Sequence, residues 1–339
     1  MKVAFLHSGS NQFNSLLLRE LKQTLTAHEV LSWIAGEEAP SRDLDVLITN
    51  SSVGREQIAS QSKLALIQTA STGYETVDID AATEMGVWVS YAPSNSTGNA
   101  TSVAEFAILL LLGASRHLGQ VIESVHGGPT YPPQIHPALN GKTVCIVGLG
   151  SIGRQIVDRL RPFGVVMVAT DEHPENSPVD VTVFPADKLE SAVADADYVV
   201  ICVRASKENE GLIDGSVLRA MKRGAIVVNI ARGMLIDEQA LLEAMKDGQI
   251  SAAGLDVVRS EPLQASNPLL TLPQVVLTPH IAAATDLMLR GTVDFICQVL
   301  EEFVAGSRPK SILNAPQKPR YRLGSERVSS GIAILSEVG

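Results

Sequence analysis

Apolar residues in this chain gather into short runs that alternate with stretches of helical spacing. Residues 3–6, 45–49, 64–68 and 87–90 are brief apolar runs, and each predicts a buried strand. Between the first two, Phe13, Leu16, Leu17, Leu21 and Leu25 fall on one face and predict a helix over 13–25. The rhythm resumes after residue 140. Strands are predicted at 143–147, 165–170, 198–203, 225–230, 251–257 and 274–278, with helices over 151–164, 238–245 and 284–304. Alternation of this kind predicts an α/β fold of parallel sheets covered on both faces. Residues 92–98 are rich in turn formers and predict a domain crossing. The stretch 102–112 is apolar nearly all round, so its helix calls for burial on several sides, with a second copy of the chain the favoured cover. Gly127, Gly128, Pro129, Pro132, Pro133 and Pro137 predict a loop over 127–141. The tail from Gln317 predicts a frayed end.

The totals narrow the partners. The 339 residues suggest about two domains. A formal charge of −10 without a long basic run argues against nucleic acid or an anionic membrane. Cys145, Cys202 and Cys297 lie in apolar segments, which points to buried thiols in a reducing compartment and to neither a disulfide frame nor a metal site. The apolar run at 106–113 is too short to span a bilayer. A soluble cytoplasmic protein is expected.

Candidate chemistry begins at Gly148, Gly150, Ser151, Ile152 and Gly153. This G-x-G-x-x-G stands between the strand at 143–147 and the helix after it, as a dinucleotide fingerprint requires. The first glycine permits a tight turn, the second a close pyrophosphate, the third close packing of helix on strand. Asp171 ends the next strand, about 20 residues on, where an acid binds the adenosine ribose and repels a 2′-phosphate. NAD is therefore expected over NADP. The competing reading of Asp171 is a cap for the turn 172–174. Three further polar groups stand just past apolar strands: Arg232, Glu261 with Asp256 before it, and His280. Together they offer a cation for a carboxylate, an acid to orient a histidine, and a histidine for proton transfer.

The motifs 71–78 (STGYETVD), 102–105 (SVAE), the fingerprint with Asp171, 229–233 (NIARG), 254–257 (GLDV) with Glu261-Pro262, and Thr278-Pro279-His280 resemble the D-isomer-specific 2-hydroxyacid dehydrogenases. The resemblance implies two Rossmann-like domains. One is a flavodoxin-like substrate domain of residues 1–97 and 287–339, discontinuous and completed by the C-terminal helix. The other is an NAD-binding Rossmann domain of 98–286 that usually forms a homodimer. It implies that Arg232 binds the substrate carboxylate, His280 is the acid/base, and Glu261 orients His280 and favours its charged form. Gly73 and Tyr74 would help hold the substrate, a small 2-oxo or 2-hydroxy acid. Thr72, Thr101, Val203, Ile230, Ala231 and Asp256 would join the fingerprint and Asp171 around NAD. This chain departs from the family pattern at Arg204, where Pro is frequent, and at Asn209, where Thr is common. A non-catalytic NAD(H)-sensing protein of the same fold, a corepressor, keeps the same residues and stands as the alternative.

Overall fold

The computed structural model describes residues 1–9, 11–126, 135–178 and 180–323. Part of the loop expected over 127–141, and the tail beyond 323, lie outside the described residues. The chain divides into two compact units, one of Met1–Asn99 with the chain from Ala284 onward, the other of Ala100–Ala283.

The first unit holds five strands, β1 (Lys2–His7), β2 (Glu29–Ile34), β3 (Val46–Thr49), β4 (Leu66–Thr69) and β5 (Trp88–Ser90), in the order β2-β1-β3-β4-β5. Every pairing is parallel, and the order is that of flavodoxin-like sheets. Successive side chains of a strand point to opposite faces, so each central strand feeds two cores. Val3, Phe5, Val46, Ile48 and Leu66 pack with Leu17 and Leu21 of α1 (Gln12–Thr24) and with Val293, Ile296, Leu300 and Phe303 of the C-terminal helix Asp286–Val304. Ala4, Leu6, Leu47, Ile67 and Val89 face the other way, onto Ile58 of α2 (Arg55–Ala59) and Ala81 and Ala82 of α3 (Ile79–Glu84).

The edge strand β5 is closed by the end of the described chain. Leu313 N–H donates to Val89 O at 2.8 Å, Val89 N–H to Asn314 Oδ1 at 2.8 Å, and Trp88 Nε1 to Tyr321 O at 2.9 Å. Arg320 Nη1 donates to Gln61 O, and the Tyr321 ring stacks on Phe303. Residues 317–323 are therefore tied down, against the frayed end expected for them.

The second unit carries α4 (Asn99–Ser115, its first residue at the unit boundary), α5 (Leu118–His126), β6 (Thr143–Val147), α6 (Ser151–Leu160), β7 (Val166–Asp171), β8 (Thr182–Pro185), α7 (Leu189–Val193), β9 (Tyr198–Ile201), α8 (Gly215–Ala220), β10 (Ala225–Asn229), α9 (Glu238–Lys246), β11 (Ile250–Leu255) and β12 (Val275–Leu277). The strand order is β12-β11-β10-β9-β6-β7-β8, again all parallel. β9 and β10 are buried along their whole length. Of the predicted elements that end early, two bear on the site. The helix expected over 151–164 stops at Leu160, and Pro162 lies in a separate three-residue turn, because proline clashes with a continuing helix. The strand expected over 251–257 ends at Leu255, and Asp256 follows it with its N–H still donating to Asn229 O at 3.0 Å. No single helix among the described residues is long and apolar enough to cross a membrane.

Candidate active site

The order of the second sheet changes direction between β6 and β9, the two strands that flank its switch point. Open α/β sheets bind ligands outside the carboxyl ends of their strands at such a point, and the glycine fingerprint stands there. Gly148 follows β6, and its N–H donates to Thr170 O at 2.9 Å. Gly150 is the N-cap of α6 with no side chain to cap it, and the first turn carries no acid. An anion thus meets the positive end of the helix without a competing carboxylate. At Gly153 a Cβ would stand 2.1 Å from Gly148 O, so only glycine lets α6 begin so close to β6. Ile152 and Val203 are half-buried and pack into the cores on either side of the sheet.

Asp171 serves two contacts. Its Oδ2 accepts from Leu149 N–H at 2.8 Å, inside the fingerprint, and its Oδ1 accepts from His173 N–H at 2.9 Å. It caps the following turn, as the competing reading held, and it also ties that turn to the glycine loop. A carboxylate has about four acceptor sites, so capacity for ribose hydroxyls remains. A side-chain-free helix start, a glycine cradle that a Cβ would fill and an acid at the end of β7 fit a dinucleotide. Ile230 is buried and Ala231 and Thr101 are half-buried. Beyond Val203, Asn209 folds its own loop by accepting from Ser206 N–H and donating to Arg204 O, each at 2.7 Å.

The charged groups come from three neighbouring strand ends. Asn229, fully buried at the end of β10, accepts from Ala231 N–H at 3.0 Å and donates to Arg232 O at 2.9 Å. It sets the turn that presents Arg232. Glu261 lies on the loop after β11, its Oε1 accepting from Val258 N–H at 3.3 Å. His280 follows β12, and its Nδ1 meets Glu261 Oε2 at 2.7 Å. Burial alone would raise the Glu261 carboxyl. The hydrogen bond to His280 and its charge, the Val258 amide and the Arg232 charge outweigh burial and hold it below its ordinary value. Glu261 is therefore anionic at neutral pH.

His280 has φ +55°, one of two described non-glycine residues with positive φ. Such a conformation is held only when its surroundings dictate it, and Asp256 supplies much of that. Asp256 is 1 % exposed. Its Oδ1 accepts from Thr278 Oγ1 at 2.6 Å and Ile281 N–H at 2.9 Å, its Oδ2 from Ala282 N–H at 2.8 Å, and its backbone carbonyl from His280 N–H at 2.8 Å. The carboxylate expected beside the cofactor thus grips the turn that carries His280.

In the first unit, Thr72, Gly73 and Tyr74 follow β4. Thr69 Oγ1 donates to Ser71 O at 2.6 Å and Ser71 Oγ to Gly73 O at 2.9 Å, a chain of local bonds that shapes the loop. Thr72 Oγ1 is buried without a hydrogen-bond partner among the described residues, and the Tyr74 ring stands edge-on to Tyr91. No group of three or more metal-ligating side chains occurs among the described residues. The three thiols are unpaired. Burial pushes Cys145 up to about 12 and, with Asp294 and Glu301, Cys297 to about 11.

The sheet order, the fingerprint and the charges at the strand ends define a dinucleotide-binding α/β protein. Residues 108–282 match the D-isomer specific 2-hydroxyacid dehydrogenase, NAD binding domain, and the chain belongs to this family. It is 35% identical over 309 residues to D-3-phosphoglycerate dehydrogenase of Methanocaldococcus jannaschii, covering 90% of this chain and 57% of that protein. It is 33% identical over 305 residues to glyoxylate reductase of Thermococcus kodakarensis, covering 84% of this chain and 90% of that one. The structure of NAD-dependent formate dehydrogenase from Staphylococcus aureus in complex with NAD superposes with a TM-score of 0.75 at 27% identity, covering 94% of this chain and 100% of that one. The chain spans about half the length of the phosphoglycerate dehydrogenases it matches.

Proposed function

We propose that this protein interconverts small 2-oxo acids and D-2-hydroxy acids with NAD(H), the glycine fingerprint of the second unit taking the cofactor. The observation that carries the reading is the 2.7 Å contact of His280 Nδ1 with Glu261 Oε2, within reach of the Arg232 charge. Bound NADH supplies the hydride that reduces the carbonyl carbon. Arg232 takes the substrate carboxylate through forked, charge-assisted hydrogen bonds. With Nδ1 committed to Glu261, His280 moves the proton at Nε2: it donates to the ketone oxygen in reduction and accepts from the hydroxyl in oxidation. Glu261 stays anionic and orients the imidazole through its contact with Nδ1. Gly73 and Tyr74 assist the substrate carboxylate. The start of α6, Asp171, Thr72, Thr101, Val203, Ile230 and Ala231 hold NAD, and Asp256 acts through the turn it grips.

A small substrate is supported by the match to glyoxylate reductase over nearly its whole length, whereas the phosphoglycerate dehydrogenases are much longer. A homodimer through the second unit is supported by α5, which has no buried residue and exposes Val121, Ile122 and Val125. Light scattering that finds only a monomer would remove the dimer.

The test of function is NADH consumption with glyoxylate, hydroxypyruvate and pyruvate, in the parent and in His280→Ala. Turnover in the parent that His280→Ala abolishes supports the reading. Tight NADH binding without turnover on any 2-oxo acid overturns it in favour of the NAD(H)-sensing protein.

A further inference from the structure

The loop between β11 and Glu261 is gripped at Arg259 by two acids that belong to neither the fingerprint nor the Arg232–Glu261–His280 set. The Arg259 backbone N–H donates to Glu238 Oε1, and the Arg259 guanidinium pairs with Glu210. Glu238 is the first residue of α9, whose N-cap Asp237 accepts from Ala240 N–H, so its backbone is fixed by a regular helix. Glu210 comes from the segment between β9 and α8. A third restraint is steric. A Cβ on Gly233, next to Arg232, would stand 1.9 Å from Val258 C and 2.4 Å from Arg259 N. The Arg232 turn and the Glu261 loop therefore touch backbone to backbone, and Arg259 is pinned at that seam. One residue, Ser260, separates it from Glu261.

We propose that Glu238 and Glu210 are positioning residues: by holding Arg259 at its amide and its guanidinium, they fix the loop that presents Glu261 to His280. This rests on the proposed role of the Glu261–His280 pair. The two grips differ in strength. The amide bond to Glu238 is charge-assisted and directional. The Arg259–Glu210 pair is about half exposed on both sides and open to screening by salt. Glu238 is the main anchor and Glu210 the auxiliary one. The charged groups around the imidazole are Glu261 itself, Arg232, whose charge reaches the Glu261 carboxylate, and Asp256, which faces the His280 turn. A change at Arg259 reaches His280 through the loop that carries Glu261.

The test compares Glu238→Ala, Glu238→Gln, Glu210→Ala, Arg259→Ala and Glu261→Gln with the parent. The measurements are kcat for 2-oxo acid reduction against pH, NADH Kd, and the titration of the His280 ring resonances by NMR without cofactor. Glu238→Ala and Arg259→Ala are expected to move the alkaline limb of kcat and the ring titration the same way as Glu261→Gln moves them. NADH Kd stays near the parent value. Glu238→Gln, which keeps an acceptor oxygen, recovers most of the profile. Glu210→Ala shows a smaller shift that added salt reproduces in the parent. Activity lost equally at every pH, with the limb and the ring titration unmoved, would mean a merely structural role and overturns the proposal. If Glu261→Gln also leaves both readouts unmoved, the reading of the pair itself has failed. If Glu261→Gln moves them and the Glu238 and Arg259 variants do not, the positioning proposal alone is wrong. Should Glu238→Ala not fold, Arg259→Ala and Glu238→Gln carry the same comparison.

Discussion

Replacing Asp256 by alanine should disable proton transfer without loosening the cofactor. The substitution removes the acceptor of Thr278 Oγ1, Ile281 N–H and Ala282 N–H at a site that is 1 % exposed. The hydroxyl can turn to another acceptor, so the two amides set the scale. At about 1–3 kcal/mol for each buried donor left unpaired, they contribute about 2–6 kcal/mol. Relaxation of His280 out of its left-handed conformation returns about 1–2 kcal/mol. Roughly 2–3 kcal/mol remains as the central figure, a factor of about 30–150 in the population of the correctly formed turn. We expect kcat for 2-oxo acid reduction to fall by that factor, NADH Kd to stay near the parent value, and the Ile281 and Ala282 amides to exchange faster with solvent. Asp256→Asn retains one acceptor oxygen but aims an NH2 group at a backbone donor, so it should fall between. Steady-state kinetics, NADH fluorescence and hydrogen exchange measure the three quantities. A variant with parental kcat and slow exchange at both amides refutes the grip. A loss confined to NADH Kd places Asp256 at the cofactor instead.

Arg232→Lys keeps the charge but loses the fork, and kcat/KM should fall by about 10-fold or more with NADH Kd unchanged; near-normal kinetics would show that Arg232 does not hold the substrate carboxylate. Asp171→Ala should narrow the preference for NADH over NADPH and weaken NADH as well, since Leu149 and His173 lose their acceptor; an unchanged ratio of kcat/KM values for the two cofactors sinks that role. The Glu261 carboxyl is held below its ordinary 4.5, so its stabilisation is complete above that value and lost as pH falls through the lower, folded one. Parent and Glu261→Gln should therefore differ in urea stability at neutral pH and converge in acid; a gap that widens toward low pH contradicts the pairing. With Cys145 near 12 and Cys297 near 11, and Cys202 raised as well by burial, a disulfide reagent at pH 8 should label none of the thiols quickly until the protein unfolds; rapid labelling of native protein would contradict their burial.

The sheets were legible where strands are buried on both faces. β1, β6, β9 and β10 are continuous apolar runs because helices cover them on both sides, and periodicity finds such runs. β2 and β8 were not read, since both are edge strands: in β2 only Trp33 is buried and Ser32 breaks the apolar run, and in the four-residue β8 nothing is buried. Arg232, Glu261 and His280 could be picked out as candidates because each follows an apolar strand. Their mutual geometry was not legible. Glu261 and His280 are nineteen positions apart in sequence, and only the pairing of β11 with β12 brings their loops together. The work of Asp256 and Glu238 was hidden for a different reason. Their partners are backbone amides, which every sequence contains and none displays, so an acid that grips a turn reads the same as one that waits for a ligand.

The tie between β5 and residues 311–321 bears on how the chain acquires its fold during synthesis. Residues 100–283 form a unit from one continuous stretch. The first unit has no such independence. Val3, Phe5, Leu17 and Leu21 share a core with Ile296, Leu300 and Phe303, and the open edge of the sheet is closed by Leu313, Asn314 and Tyr321. Its five strands leave the ribosome first and then wait, one face covered only by α1 and one edge unpaired, until some two hundred further residues have been made. The usual order, in which the N-terminal unit folds first, is reversed: the inserted unit can mature while its host is still half-covered. A chain stalled or clipped before Leu313 would keep a finished dinucleotide fold and carry an exposed strand edge, the surface on which chains most readily associate.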